Sequence, residues 1–281
     1  MTPFSIPSVQ IEKRLFNLQE HLRVNRLDGA LIIQRVDLIY FSGTAQNGCL
    51  YVPAHEAPLL FIKRSYARAR KESPLKHVLR IQSLKDVPGL IQDFYSTLPK
   101  KLGLELDVMP VNQFRFIESL FSGCRPADAS GWILAIRSIK SGWEIAQMTQ
   151  TADMSAKTFA YIQAALQEGY TEMEFAGIFE TFARRHGHAG KIRIRDYQTE
   201  GYSWHVLSGR SGSLPGLLDS PASGQGTSLA FPCGAGQKKL QANEPIMVDF
   251  AAVLNGFHMD ETRTVSYTHL TLPTTIKPWG G

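Results

Sequence analysis

The chain has 281 residues, of which 43% are hydrophobic and 20% charged, with a formal net charge of +5. That length suits two domains that each bury a core, and the composition excludes a disordered or fibrous protein. Cys49, Cys124 and Cys233 are too few and too scattered for a disulfide framework, and none forms the Cys-x-x-Cys pair of zinc or redox chemistry.

In chain order, the start MTPFSIPSVQIEKRLFNL has no basic region followed by an apolar one, and no later run is long and apolar enough to span a bilayer. The expectation is a cytoplasmic protein with no membrane partner. Ile11, Leu15, Leu18, Leu22 and the stem of Arg26 fall on one face at helical spacing, which predicts a helix over 9–27 that stops near Asp28-Gly29. Ala30-Leu31-Ile32-Ile33 reads as a buried strand. Leu38-Ile39-Tyr40-Phe41 reads as a second, closed by the turn signal Ser42-Gly43, and Gly48 to Val52 and Pro58 to Ile62 supply two more. Helical stretches at 64–72, 86–97 and 112–121 alternate with short strands near 77–82 and 101–105, the pattern of an α/β domain.

Residues 122–131, SGCRPADASG, are small and turn-forming, so the boundary is expected there, with a first domain over 1–131 and a second over 132–265. Helices follow at 139–148, 152–167 and 172–187, with Gly169 and Gly187 as stops. Strands at 192–198, 203–208, 245–254 and 257–264 make the second domain α+β, interrupted by the glycine-rich loop 209–228. Two basic clusters occur, one from Lys63 to Lys76 and one from Arg184 to Arg195. Both read as solvated faces, because no nucleic-acid recognition motif accompanies them and acids dilute the charge. Nucleic acid is therefore not an expected partner.

The most informative segment is IMVDFAAVLNGFHMDETRT, residues 246–264. Asn255-Gly256 between two strand-like runs is the strongest short hairpin signal, favouring a type I′ turn because both residues tolerate positive φ. With Leu254 opposite Phe257, Ala251 faces Asp260 and Asp249 faces Thr262. Asp249 and Asp260 then share a face as diagonal neighbours roughly 7–8 Å apart, while Val248, Phe250, Ala252 and Leu254 take the other face. Two ionised carboxylates in an apolar hairpin need a cation, a hydrogen bond or a proton in compensation. A divalent metal of the hard or borderline kind meets that need; pairing with Arg263 or a lysine as exposed strand residues is the alternative.

Asp249, the eleven-residue interval and Asp260-Glu261-Thr262-Arg263-Thr264 resemble the metal-binding hairpin of the aminopeptidase P, prolidase and creatinase family. Ile136-Arg137-Ser138-Ile139-Lys140-Ser141 with Glu144, Gly169-Tyr170-Thr171-Glu172 and Val206-Leu207-Ser208-Gly209 are similar to other parts of its catalytic domain. Gly29-Ala30-Leu31 and Asp37 to Gly43 are similar to its accessory domain, so the resemblance covers about residues 9–265. It implies an amino-terminal creatinase-like α/β domain followed by an α+β catalytic domain of the pita-bread fold, here incomplete. It also implies two divalent metal ions (Mn, Co or Zn) held by two Asp, one His and two Glu, a homodimeric full-length form, and hydrolysis of the amide bond before proline in a peptide with proline second. Only Asp249 and Asp260 carry over as ligands. His269 is too close to Asp260 and in the wrong context.

Two departures accompany the resemblance. SYTHLTLPTTIKPWGG, residues 266–281, does not continue the family pattern and resembles translated adapter or cloning sequence, so a non-native tail on a chain cut short is expected, with little activity of its own. The histidine that such peptidases place in a Leu-Pro-His segment is also missing from Leu214-Pro215-Gly216 and Phe231-Pro232-Cys233. His205, beside Trp204, is a packing histidine or a substrate-pocket candidate. His258 shares the face of Asp260 and is a candidate to stand behind the ligands, as is Thr262. The alternative functions on the same fold are a creatinase-like amidinohydrolase, which the retained Asp pair disfavours, and a non-catalytic binding protein.

Overall fold

The apolar stripe near the amino terminus forms helix α1, Ser8–Val24, which buries Ile11, Leu15, Leu18 and Leu22. It stops short of the expected end because Arg26 adopts a positive φ of 56°, which turns the chain into the first strand. The computed structural model describes residues 4–196, 204–216 and 222–266. They divide into two units, one built from residues up to Lys140 together with the segment that starts at Ile194, the other from Ser141–Arg193 and the described residues from 204 onward.

The first unit contains β1 (Gly29–Ile32), α2 (Arg35–Ser42), β2 (Gly48–Pro53), β3 (Leu59–Ile62), α3 (Tyr66–Glu72), β4 (His77–Arg80), α4 (Val87–Tyr95), β5 (Lys101–Leu104), α5 (Val111–Leu120), β6 (Arg125–Asp128) and α6 (Ser130–Ser138). Its six strands run in the order β4-β3-β2-β1-β5-β6. The inner β1–β2 and β2–β3 pairs are antiparallel, and β1–β5, β3–β4 and β5–β6 are parallel. Side-chain alternation sends Ala30, Ile32, Leu50, Val52, Leu60 and Ile62 to one face, against α1, α2 and α6. Leu31, Cys49, Tyr51, Leu59 and Phe61 go to the other, against α4 and α5.

Three expectations for this unit are corrected. Leu38 to Phe41 lie in α2, not in a strand: the Gln34 side chain accepts from Val36 N–H at 2.5 Å to cap the helix start, and Gly43 at φ 80° ends it. Residues 125–128, expected as linker, form the edge strand β6 paired with β5. Helix α6 buries Ile133 and Ile136 in the first unit's core, so the division falls between Lys140 and Ser141 rather than at 131.

The second unit contains α7 (Gly142–Ala165), α8 (Glu172–Arg185), β7 (Trp204–Ser208), β8 (Pro245–Leu254) and β9 (Phe257–Ser266). Residues 142–165 form one continuous helix where two were expected, since no glycine or proline interrupts them after Gly142. Ser141 and Glu144 cap its start reciprocally, and Thr171 and Glu174 do the same for α8. The three strands form an antiparallel sheet in the order β7-β8-β9. Met154, Ile162, Phe175, Phe179, Val206, Val248, Phe250 and Ala252 bury one face of it under both helices. Residues 192–196 form no strand, and the rest of that expected strand lies outside the described residues, as do His269 and the tail beyond Ser266. No helix among the described residues is long and apolar enough to cross a membrane.

Candidate metal centre

Asn255 and Gly256 sit at φ 55° and 84°, the left-handed pair that a type I′ turn requires. The register follows as the sequence predicts: Leu254 pairs with Phe257, Ala251 with Asp260 and Asp249 with Thr262. Asp249 and Asp260 therefore occupy the face opposite the helices. On the far side of β8, the pairing of Trp204 with Phe250 and of Val206 with Val248 places those four residues on the core face. His205, paired with Asp249, falls by the same alternation on the carboxylate face.

That face carries two carboxylates and, with His258 opposite Val253, two imidazoles. Its remaining described strand residues are apolar or neutral, and neither Lys nor Arg is among them. Arg263, the expected alternative partner, lies on the other face and pairs with Glu261, which also accepts from Ser155 Oγ at 2.6 Å. The charge of the aspartates is thus left without a basic strand residue on their own face. Partial desolvation, and then the charge of Asp249, raise the Asp260 pKa above the ordinary carboxylate value, against the opposing pull of the Glu261 N–H and the two histidines. Desolvation outweighs both aspartates at His205 and outweighs Asp260 at His258, so both imidazoles are held below their usual pKa. Thr262 Oγ1 donates to Asp249 Oδ1 at 2.7 Å and orients that carboxylate.

Two carboxylates on one face with imidazoles beside them and no basic strand residue are of the donor type that suits a hard or borderline divalent cation. Among the described residues no three His, Cys, Asp or Glu side chains are gathered closely enough to hold a metal ion.

The glycine-rich loop is anchored by a residue that sequence reasoning noted only as part of a turn. Glu172, fully buried at the start of α8, accepts from Ser208 N–H at 2.7 Å, Ser208 Oγ at 2.8 Å and Gly236 N–H at 3.0 Å, and from Ser211 Oγ. Lys238 donates to Ser208 Oγ at 3.0 Å and pairs with Glu244. His188, just past the end of α8, is buried, and its Nδ1 accepts from Val253 N–H at 3.0 Å. Its role is to hold the hairpin to the end of α8.

A mixed-sheet α/β domain, followed by two helices laid on an antiparallel sheet with carboxylates on its open face, defines a two-domain protein of the pita-bread class. Comparison with known proteins agrees. Residues 14–139 match the Creatinase/Prolidase N-terminal domain, and residues 146–273 match Metallopeptidase family M24. An uncharacterised peptidase of Staphylococcus epidermidis is 25% identical over 259 residues, covering 90% of this chain and 66% of that protein. The Xaa-Pro dipeptidase of Pyrococcus furiosus is 22% identical, covering 91% of this chain and 65% of its own length. Among solved structures, an Xaa-Pro dipeptidase from Bacillus anthracis superposes with a TM-score of 0.75 at 19% identity, covering 91% of this chain and 65% of that one. The prolidase from Pyrococcus furiosus gives 0.72 at 20% identity, covering 89% and 70%. The chain belongs to the creatinase/prolidase family of M24 metallopeptidases, and spans just under two thirds of the length of these curated relatives.

Proposed function

We propose that the second unit is the metal-binding part of a hydrolase that cleaves the amide bond preceding proline, in a peptide with proline at its second position. The observation that carries this is the pairing of Asp249 with Thr262 and of Asp260 with Ala251, which places two carboxylates on one face without a basic strand residue, in a chain of the M24 family. The names of the Pyrococcus and Bacillus relatives point to Xaa-Pro substrates.

In this reading Asp249 and Asp260 hold Mn²⁺, Co²⁺ or Zn²⁺, and the full set of two ions draws on further ligands beyond this pair. A divalent cation, when bound, supplies Lewis acidity that lowers the pKa of water and polarises the scissile carbonyl. The chain's own residues position and balance charge. Thr262 fixes the Asp249 carboxylate, His258 shares the face of Asp260, and the apolar core behind β8 keeps both carboxylates on the open face. Two protein carboxylates leave most of a cation's coordination to water, so the 281-residue polypeptide is expected to bind Mn²⁺ weakly and to turn over little substrate. Full-length forms are expected to be homodimeric.

The test is Mn²⁺ titration by calorimetry, together with an assay for amino acid released from Xaa-Pro dipeptides. Cation binding that disappears in the Asp249→Asn, Asp260→Asn double variant supports the site. Mn²⁺ binding unchanged in that variant, or brisk Mn²⁺-dependent release that survives it, sinks the reading.

A further inference from the structure

The carboxyl ends of three strands of the first unit border an open cavity of about 230 Å³. β1 and β3 both run antiparallel to β2, and β4 runs parallel to β3. Ile33, Lys63 and Ile81, each directly after its strand, therefore leave the sheet at one edge, where β2 enters through Gly48. Open α/β sheets place ligands in the crevice outside the carboxyl ends of their strands. The volume is several times the roughly 30 Å³ that one water takes up in the liquid, so a small organic molecule fits.

Two kinds of side chain line the cavity. Leu38 and Ile81, both buried, and the half-buried Ile33 and Leu84 make an apolar wall. Arg35, Asn47 and Lys63 are exposed, and none of their side chains makes a hydrogen bond or an ion pair with a described residue. The frame is fixed by backbone bonds: Lys63 N–H donates to Asn47 O at 2.8 Å, and Ile81 N–H to Ile62 O at 3.0 Å. A Cβ on Gly48 would lie 1.9 Å from Phe61 O, so that position brings no side chain to fill the space.

No carboxylate lines the cavity. The acids of the neighbouring turns are engaged elsewhere. Glu72 accepts from Thr44 Oγ1 and from Arg68 Nε at 2.6 Å, and Asp86 accepts from the N–H groups of Gln82 and Ser83 at 2.7 and 3.1 Å. Glu105 is held by the N–H groups of Ile33 and Gln34. Two free cations beside an aliphatic wall select a ligand by charge and by shape. An acidic group gains charge-assisted hydrogen bonds from the guanidinium and the ammonium, and an aliphatic tail covers the wall. An amino group on the ligand would meet both cations and no compensating carboxylate, which disfavours free amino acids and peptides.

We propose that this cavity binds a small aliphatic carboxylate that carries no amino group, held by Arg35 and Lys63 with the Asn47 amide as a further donor. The site lies wholly within the first unit and does not depend on the cation-site reading above.

The experiment follows the Ile and Leu methyl signals of the full chain by NMR as isocaproate, which is leucine without its amino group, is added to the parent, Arg35→Gln, Lys63→Gln and the double variant. Both cations are exposed, so the variants should fold, and thermal unfolding checks that they do. Three comparison compounds separate the causes: isocaproamide has the shape without the charge, leucine adds the ammonium, and inorganic phosphate has the charge without the tail. The expected result is saturable shifts of the Ile33, Ile81 and Leu84 methyls in the parent, with affinity that falls as salt is raised. Each single variant should bind about tenfold more weakly, because each loses one hydrogen bond to a charged group, and all three comparison compounds should bind more weakly than isocaproate. Methyls that do not shift in the parent, equal affinity in the parent and the double variant, or a comparison compound that binds as tightly as isocaproate overturns the proposal.

Discussion

Thr262 and Asp249 are joined across the β8–β9 ladder by a 2.7 Å hydrogen bond from the threonine hydroxyl to Oδ1. They are also direct partners in the register, so the bond runs straight across the ladder and orients the carboxylate. Thr262→Val keeps the β-branched shape but removes the donor. Loss of such an orienting partner costs about tenfold or more in metal affinity, and Thr262→Ser should restore most of it. Calorimetric Co²⁺ titration of the three proteins checks this; equal affinity for the valine variant and the parent would show that the bond does not matter to the site.

Asp260 carries the electrostatic cost of this arrangement. Its pKa is raised by desolvation and by Asp249, so its charged form is less favourable in the folded protein than in the unfolded chain. The sign follows: this contribution to stability is fully present below the unfolded pKa and is lost as pH rises from there through the folded one. Asp260→Asn removes that cost at neutral pH. The metal-free variant should therefore melt at or above the parent, by about 1–2 °C, while losing cation binding. A lower melting temperature for Asp260→Asn would contradict the repulsion argument.

The hairpin was legible because its information is local. Asn255-Gly256 sets the turn, the turn sets the register, and alternation then assigns Asp249, Asp260 and Val248 to their faces. The first sheet was legible for the same reason, apart from β6, whose Arg125–Asp128 read as a turn-forming boundary, and α2, where Leu38 to Phe41 look like a strand and helix formation depends on the caps Gln34 and Gly43. Long-range pairings were not legible. The register of His205 on Asp249 depends on a connection that crosses the glycine-rich loop, and nothing local announces it. Glu172 and Arg195 show the same limit: each is a charged residue in a polar stretch, and only its distant partners reveal that it is buried.

Glu105 gives the first unit a pH dependence. It is buried, it accepts from Ile33 and Gln34 N–H at 2.7 and 2.8 Å, and its carboxyl faces that of Asp37. Desolvation and then Asp37 push its pKa from 4.5 up to about 8. The unfolded chain releases this proton first, so the protein loses stability as pH rises from the unfolded value through the folded one. Melting temperature should be several degrees higher at pH 5.5 than at pH 8.5, and Glu105→Gln should flatten that slope by keeping a neutral acceptor in place. A slope unchanged in the glutamine variant would assign the pH dependence elsewhere.

Arg195 belongs to a basic cluster that reads as solvated, yet its side chain is 6% exposed and its Nε donates to Asp37 Oδ2 at 2.5 Å. Its Nη2 reaches Asp107 Oδ1 at 3.0 Å, and Arg137 supplies the other oxygen of Asp37 at 2.7 Å. Asp37 is fully buried, so Arg195→Ala leaves a carboxylate with one cation where it had two. Removing one partner of a buried pair is costly because the other charge is stranded, and a loss of about 3 kcal/mol is expected, the low end of the usual range because Arg137 remains. Neutralising the stranded group as well, in Arg195→Met with Asp37→Asn, should recover part of it. Urea unfolding of Arg195→Met, Asp37→Asn and the double isolates the coupling, expected at about 1–3 kcal/mol. If Arg195→Ala unfolds within about 0.5 kcal/mol of the parent, the threshold for an ordinary surface substitution, the cluster does not hold the segment that starts at Ile194 to the first unit.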